Sequence, residues 1–471
     1  MPSQLTTRAQ VNGYLFLVRR LEHALIRRDV RMLHDPMSVQ FRSLLVGGVL
    51  GALALGACAV LGLLHPQGAV GNAHIISGKS SGGLYVIQQD GKLDPVLNLT
   101  SARLIAGTAE TPDSVAESKL TSYARGPLLG IPGAPAALPG SASSGSNWTL
   151  CQSMTPIAGS STLVAAGSPD LSDGMHALAP DEALLVSSEG KTYLLFDGRR
   201  AEVNPDNDAI VRSLDLEGVQ PRPIGTALLD ATVPVPALDP PVIGQAGQPG
   251  PVSGTKVGQV IQVNNVGSSE LYVVLANGVQ QVSPFAAEVI RDADSFGASQ
   301  IATVAPDLLA GIPVVHTLPI DSFPGQRPTI LPIDPSPVAC AMWSRPSDNQ
   351  DAALTFLVGA SWPLSPAATP VQMADGDGSP DRVDAVYLPP FSGEFVQITG
   401  IAPDSVRKDG LCYISDTGIR YGIPDLATAK ILGLPDTPKP APWEIIGRLA
   451  GGPTLSRDAA MIAHDTLPTG Q

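Results

Sequence analysis

The sequence predicts a single-pass membrane protein with a large, mainly-β (α+β) outer domain. A cytoplasmic N-terminal helix and one transmembrane helix precede four hairpin–helix repeats arranged around a central β domain. Three observations carry this reading. Residues 43–64, SLLVGGVLGALALGACAVLGLL, run 22 residues without a charge. The 471 residues include 48 Gly and 45 Pro, so turns interrupt the chain too often for many long helices. Four segments beyond the apolar stretch share one order of strand, Gly turn, strand and short helix.

Residues 1–42 come first. Thr6 or Thr7 can cap a helix whose apolar positions Val11, Leu15, Val18, Leu21, Leu25 and Ile26 recur at three- and four-residue steps. Arg19, Arg20, Glu22, Arg27 and Arg28 are expected on the opposite face. Asp29 and Asp35-Pro36 break the pattern, and a second short segment leads into the span. A basic amphipathic helix beside a membrane lies on anionic lipid or docks on a partner's helix, and composition leaves both open.

Residues 43–64, as a helix, cover ~33 Å, enough for a hydrocarbon core of ~30 Å. Gly47, Gly51 and Gly56 suit lipid better than water, and Gly47 with Gly51 forms a G-x-x-x-G pair. A cleaved signal peptide would have a shorter apolar core, beginning near residue ten. Seven Arg against Glu22, Asp29 and Asp35 give residues 1–42 a net charge of +4. The remainder then carries −18 of the total −14. Basic residues resist translocation, so the N-terminus is expected in the cytoplasm and the bulk outside. An acidic outer part without a basic stripe is a poor partner for nucleic acid.

A linker, 65–82, leads to the first repeat, 83–139, which opens with GLYVIQQDGKLDPVLNLTSARLIAG. The second repeat spans 189–232, the third 268–329 and the fourth 409–445. Each has a Tyr in one strand (Tyr85, Tyr193, Tyr272, Tyr413) and a Gly in the turn (Gly91, Gly198, Gly278, Gly418). Asp90-Gly91, Asp197-Gly198 and Asn277-Gly278 suit tight hairpins because both residue types tolerate positive φ. Residues 233–267 hold a Pro/Gly-rich linker and the start of the next segment. Residues 140–188 and 330–408 read as two parts of the central β domain. A C-terminal tail, 446–471, closes the chain. Four Cys are present: Cys58 in the span, and Cys151, Cys340 and Cys412 beyond it, which leaves one over if two pair. Cys151 and Cys340 each stand near a Trp in one half of the central domain. A bond there would close a loop of nearly 190 residues, stabilising by ~4–5 kcal/mol at most. Pairing with Cys412 stays open at this point.

The string QVNGYLFLVRRLEHALIRRDVRMLHDPM, residues 10–37, is more specific. It resembles the N-terminal signature of the EccB family, a core membrane component of the type VII (ESX) secretion systems of mycobacteria and related actinobacteria. Gln10-Val11, Gly13, Phe16-Leu17, Arg19-Arg20, Glu22, Ala24-Leu25, Arg27-Arg28-Asp29, Arg31-Met32 and Asp35-Pro36 match the pattern. Tyr14 departs from it, where a basic residue is expected. The likeness extends over the single span and the outer repeats. It implies a core subunit of an inner-membrane secretion complex, with the bulk periplasmic, and a non-enzymatic structural role is the expectation for want of a catalytic motif. The partners implied are the motor EccC, EccD, EccE and the mycosin protease, with self-association besides. It also supports a Cys151–Cys340 disulfide, leaving Cys412 a buried thiol. The N-terminal helix, through Arg19, Arg20, Glu22, Arg27, Arg28 and Asp29, is expected to dock on protein inside that complex. Peptidoglycan binding is a second class of function, since small hairpin–helix units resemble cell-wall binders.

The family resemblance also carries an ATPase assignment, which requires a phosphate-binding loop. A Walker A loop needs Gly-x4-Gly-Lys-Ser/Thr so that backbone amides and Lys wrap the phosphates. The nearest match, AHIISGKS at 73–80, has Ala73 for the first Gly and keeps only Gly78, Lys79 and Ser80. No strand–loop–helix frame surrounds it, and a polar linker is the expected reading. Asp375, Asp377, Ser379 and Asp381 alternate as calcium loops do. However, Gly378 falls at the fourth position, Pro380 at the sixth, and no Glu closes the loop. His23 and His316 lack partners at ligand spacing, and no G-x-S-x-G elbow occurs. The expectation is no metal, no cofactor and no catalytic residue.

Overall fold

A computed structural model describes residues 6–28, 36–64, 73–140, 145–155, 159–172, 174–265, 267–346 and 350–466. The chain forms two compact units, Met1–Gly71 and Asn72–Gln471.

The first unit holds two helices, α1 (Arg8–Arg27) and α2 (Pro36–Leu64). At the start of α1 the Thr7 N–H donates to Gln10 Oε1 at 3.0 Å, satisfying one of the free ends of the helix. Arg28 ends it in the left-handed conformation, φ 56°. The short segment expected before the span is instead the beginning of α2, one helix of 29 residues. Pro36 sits at its first position, where a missing N–H costs nothing, and nothing breaks the helix before Leu64. Within it, Phe41–Leu61 is long and apolar enough to cross a membrane. Asp29 and Asp35 lie outside the described residues.

The second unit is mostly strand. Its middle is a seven-stranded sheet built on two long hairpins, Ser146–Thr155 with Gly159–Ala166 and Val338–Arg345 with Ala353–Gly359. The two hairpins meet antiparallel through Ser146–Thr155 and Val338–Arg345, in a register that sets Trp148 opposite Trp343 and Cys151 opposite Cys340. Both Trp are 1% exposed. Each hairpin is flanked by a strand that follows the other: His176–Ala177 pairs with Ala353–Gly359, and Ala385–Tyr387 with Gly159–Ala166.

Four smaller sheets surround it. The first takes strands Ile75–Gly78, Leu84–Ile87 and Leu93–Pro95; the second Glu182–Ser188, Lys191–Phe196 and Arg199–Val203. The third takes Val260–Asn265, Ser268–Leu275 and Gly278–Val282; the fourth Gly393–Thr399, Leu411–Ser415 and Ile419–Ile423. In every case the three strands run antiparallel in succession. A helix follows, then a strand parallel to the first of the three. A second short helix follows, and then a segment parallel to the third strand.

Two strands expected in the central domain, Glu182–Ser188 and Gly393–Thr399, pair instead in the second and fourth sheets. The reason is local for the first of them: Glu189 and Gly190, at φ 50° and 78°, make a tight turn that folds Glu182–Ser188 onto its neighbour. The expected tail is part of the body as well. Leu455 and Ala460 are fully buried, and Ala463–His464 pairs with Leu128–Leu129.

Three buried clusters link the sheets in series. One joins the first and fourth sheets, through Ile75, Leu104, Tyr413 and Leu432. One joins the fourth, central and second, through Ile414, Ile445, Trp148, Trp343, Leu184 and Leu228. The last joins the second and third, through Leu194, Ile210, Phe285 and Val289. Aromatics are 4% of the chain, so these cores rest on aliphatic area at roughly 25 cal/mol per Å² buried.

Candidate functional site

The sites singled out in the sequence fall in separate places. On α1, the apolar side chains Tyr14, Leu17, Leu21, Leu25 and Ile26 are 58–75% exposed, a face left open among the described residues. Glu22 does not share the face of the Arg residues, as its place in the list of charges suggested. At 3.6 residues per turn it follows Val11, Leu15 and Val18 by eleven, seven and four residues, which puts it on the apolar stripe. Arg20 lies opposite that stripe, and Arg19, four residues after Leu15 and seven before Ile26, lies at its edge. The side chain of Arg27 and the whole of Asp29 lie outside the described residues.

The near-phosphate loop is a hairpin. The strand Ile75–Gly78 turns directly into its antiparallel neighbour Leu84–Ile87, with no helix after it. Its amides are already engaged: Gly78 N–H donates to Gly83 O at 2.8 Å and Lys79 N–H to Val115 O at 2.9 Å. Ser80 and Ser81 N–H both donate to Glu117 Oε1, at 2.8 and 2.7 Å. These amide contacts hold the Glu117 carboxyl down at about 2. A carboxylate of the chain itself therefore fills the cradle that Gly78, Lys79 and Ser80 would offer a phosphate.

The acidic turn is equally self-contained. Gly378 N–H donates to Asp384 Oδ1 and Ser379 N–H to Asp377 Oδ1, at 2.8 and 2.9 Å. Asp381 Oδ1 accepts from the Thr226 N–H and hydroxyl at 2.7 and 2.8 Å, tying the turn to the second sheet. Among the described residues no group of three or more His, Cys, Asp or Glu could hold a metal ion.

Cys151 and Cys340 are bonded, S–S 2.03 Å, where the two central hairpins face each other. Cys412 is a buried free thiol, and burial pushes it up to about 12. Cys58 is exposed on α2. Sequence reasoning missed a cleft between the second and fourth sheets, lined by Arg200, Asp230, Trp443, Glu444 and Arg448. Its residues come from distant segments and carry no local motif.

Comparison with known proteins places these features. The family model described as "Type VII secretion system ESX-1, transport TM domain B" matches residues 3–469. A relative from Mycobacterium tuberculosis, "ESX-2 secretion system ATPase EccB2", is 38% identical, covering 100% of this chain and 97% of the relative. "ESX-3 secretion system ATPase EccB3" of Mycolicibacterium smegmatis is 36% identical, covering 98% and 92%. Among solved structures, a chain of an intact ESX-5 inner membrane complex matches with TM-score 0.75 at 33% identity, over 100% of this chain and 98% of that one. The EccB3 dimer from the ESX-3 core complex matches with TM-score 0.73 at 34% identity, over 83% of this chain and 100% of that one. With the basic N-terminal signature, one apolar span and a likeness running through the whole outer unit, the chain belongs to the EccB family of type VII secretion components.

Proposed function

We propose that this chain is a structural core subunit of a type VII (ESX) inner-membrane complex, supporting its assembly and the export of proteins. The observation that carries this is the fold match to a chain of an intact ESX-5 inner membrane complex over 100% of this sequence. In this reading α2 crosses the inner membrane, α1 lies in the cytoplasm and the outer unit in the periplasm, as the +4 charge before the span favours. The four small sheets are copies of one unit flanking the central sheet, and they give the subunit surfaces for EccC, EccD, EccE, the mycosin protease and a second copy of itself. The relatives' names include ATPase, but here the hairpin at Gly78–Ser81 has its amides bound to the chain's own groups. This supports a reading in which the chain acts without ATP turnover.

Helix α1 docks on protein, with lipid contact secondary. Lipid would accept Arg19 and Arg20 at a gain of ~1 kcal/mol each near an anionic surface, but it would reject Glu22 in the apolar stripe. A partner presenting a cation in an apolar groove satisfies both. The tagged chain, expressed in cells with the rest of the complex and extracted in detergent, tests this. Glu22→Arg, and separately Arg27→Glu with Arg28→Glu, are expected to leave the chain in the membrane fraction but remove the partners from the eluate. Full recovery of partners with both variants would reduce α1 to a membrane anchor. Lys79→Ala is expected to change neither ATP binding nor assembly. ATP turnover by purified chain that this substitution abolishes would overturn the structural reading.

A further inference from the structure

Between the helix Thr226–Asp230 of the second sheet and the helix Trp443–Ile446 of the fourth lies a cleft of about 480 Å³. That is within the ~300–1,000 Å³ typical of small-ligand sites. Its charged residues balance, Arg200 and Arg448 against Asp230 and Glu444. Arg448 Nη2 donates to Asp230 Oδ2 at 2.6 Å, so one ion pair ties the two sheets together. Arg200 turns its guanidinium onto the carbonyl of Leu229 and the Thr232 hydroxyl, the latter at 3.2 Å. Glu444 Oε2 is shielded from solvent yet accepts no hydrogen bond from any described residue. A buried acceptor left bare costs free energy unless a donor reaches it.

Trp443 is 40% exposed, whereas Trp148 and Trp343 are 1% exposed. Its indole is fixed from within the chain. Arg420 Cζ lies 4.6 Å from the ring centroid. A Cβ on Gly447 would stand 2.9 Å from the indole Cε2, so only Gly admits the ring there. Ile401 adds an apolar wall. A ligand for this cleft must donate to Glu444, accept from Arg448, bury an apolar face beside Trp443 and carry little net charge. An anion would meet Asp230 and Glu444; a cation would meet Arg200 and Arg448. A sugar ring meets all four conditions, since its hydroxyls donate and accept while its C–H face is apolar.

We propose that this cleft binds a pyranose unit of a glycan, with hydroxyls toward Glu444 and Arg448 and the C–H face beside Trp443 and Ile401. The test uses the full chain purified in a non-glycoside detergent, with N-acetylglucosamine trimer and maltotriose as probes. Saturation-transfer NMR and tryptophan fluorescence report binding. Saturable binding of at least one trisaccharide is expected, and Glu444→Gln and Arg448→Met should each raise its Kd about tenfold or more in protein that circular dichroism shows to be folded. If Glu444→Gln does not fold, Arg448→Met alone decides. No saturable response from folded wild-type chain would overturn the proposal. So would equal affinity in a folded variant, or binding of free arginine or glutamate where neither sugar binds.

Discussion

Glu117 shows how a short likeness in sequence can mislead at the scale of one residue. Gly78-Lys79-Ser80 is spelled like the end of a phosphate loop, but the amides it would lend are spent on the chain's own acceptors. Nothing local announced that Glu117, 36 residues beyond Ser81, would arrive there. Its carboxyl sits at about 2 in the fold against a usual 4.5, chiefly through the Ser81 amide. A depressed acid stabilises fully above its unfolded pKa and loses that contribution as pH falls toward the folded one. Wild-type chain should therefore lose stability between pH 4.5 and 2 faster than Glu117→Gln, read from denaturation midpoints at stepped pH. Cys412 gives a second outcome at this scale. It is 1% exposed, and burial raises its thiol to about 12. Iodoacetamide at pH 8 should label it only after unfolding, read by mass mapping of native and denatured chain.

At the scale of elements, the hairpins were legible and their completions were not. The turns at Asp197-Gly198 and Gly418 stand where Gly and Asp tolerate positive φ, with 46°, 69° and 81° at those residues. Gly198 is also a contact: a Cβ there would lie 2.4 Å from Leu354 O on the central sheet. Gly198→Ala should therefore destabilise by roughly 2 kcal/mol, from strain and from lost packing together, as a lower melting temperature would report. The parallel strands that close each small sheet escaped notice because they are only two to four residues long and hold no alternation. Arg222–Pro223 is one and Lys439–Pro442 another. Their pairing partners lie far back in the chain, and a two-residue strand leaves no periodic signal. The central sheet was anticipated only as two strand-rich stretches, 140–188 and 330–408, and the register that sets Cys151 opposite Cys340 explains why both cysteines stand three residues from a Trp. The span itself was read almost to its ends. Only the run into it was misjudged, because Pro at a first helical position starts a helix as readily as it stops one.

For the whole molecule, the sequence showed the order of its parts but not which parts touch. Sheets one and four, though far apart in the chain, share a core, and so do two and four. The cleft at Trp443 exists only because of that long-range packing, which is why no motif pointed to it. The Cys151–Cys340 bond has a mechanical consequence. A chain held by its membrane helix and tugged at its far end transmits tension from residue 151 straight to residue 340. The intervening segment, 189 positions in sequence separation, hangs as a slack covalent loop outside the load path. Sheets two and three are thereby exempt from force that would unravel one and four. Single-molecule extension should fall short of the full contour by about 650 Å, at ~3.4 Å per residue, and recover that length when the bond is reduced. For a subunit in a membrane machine that moves other proteins, the bond works as a strain relief.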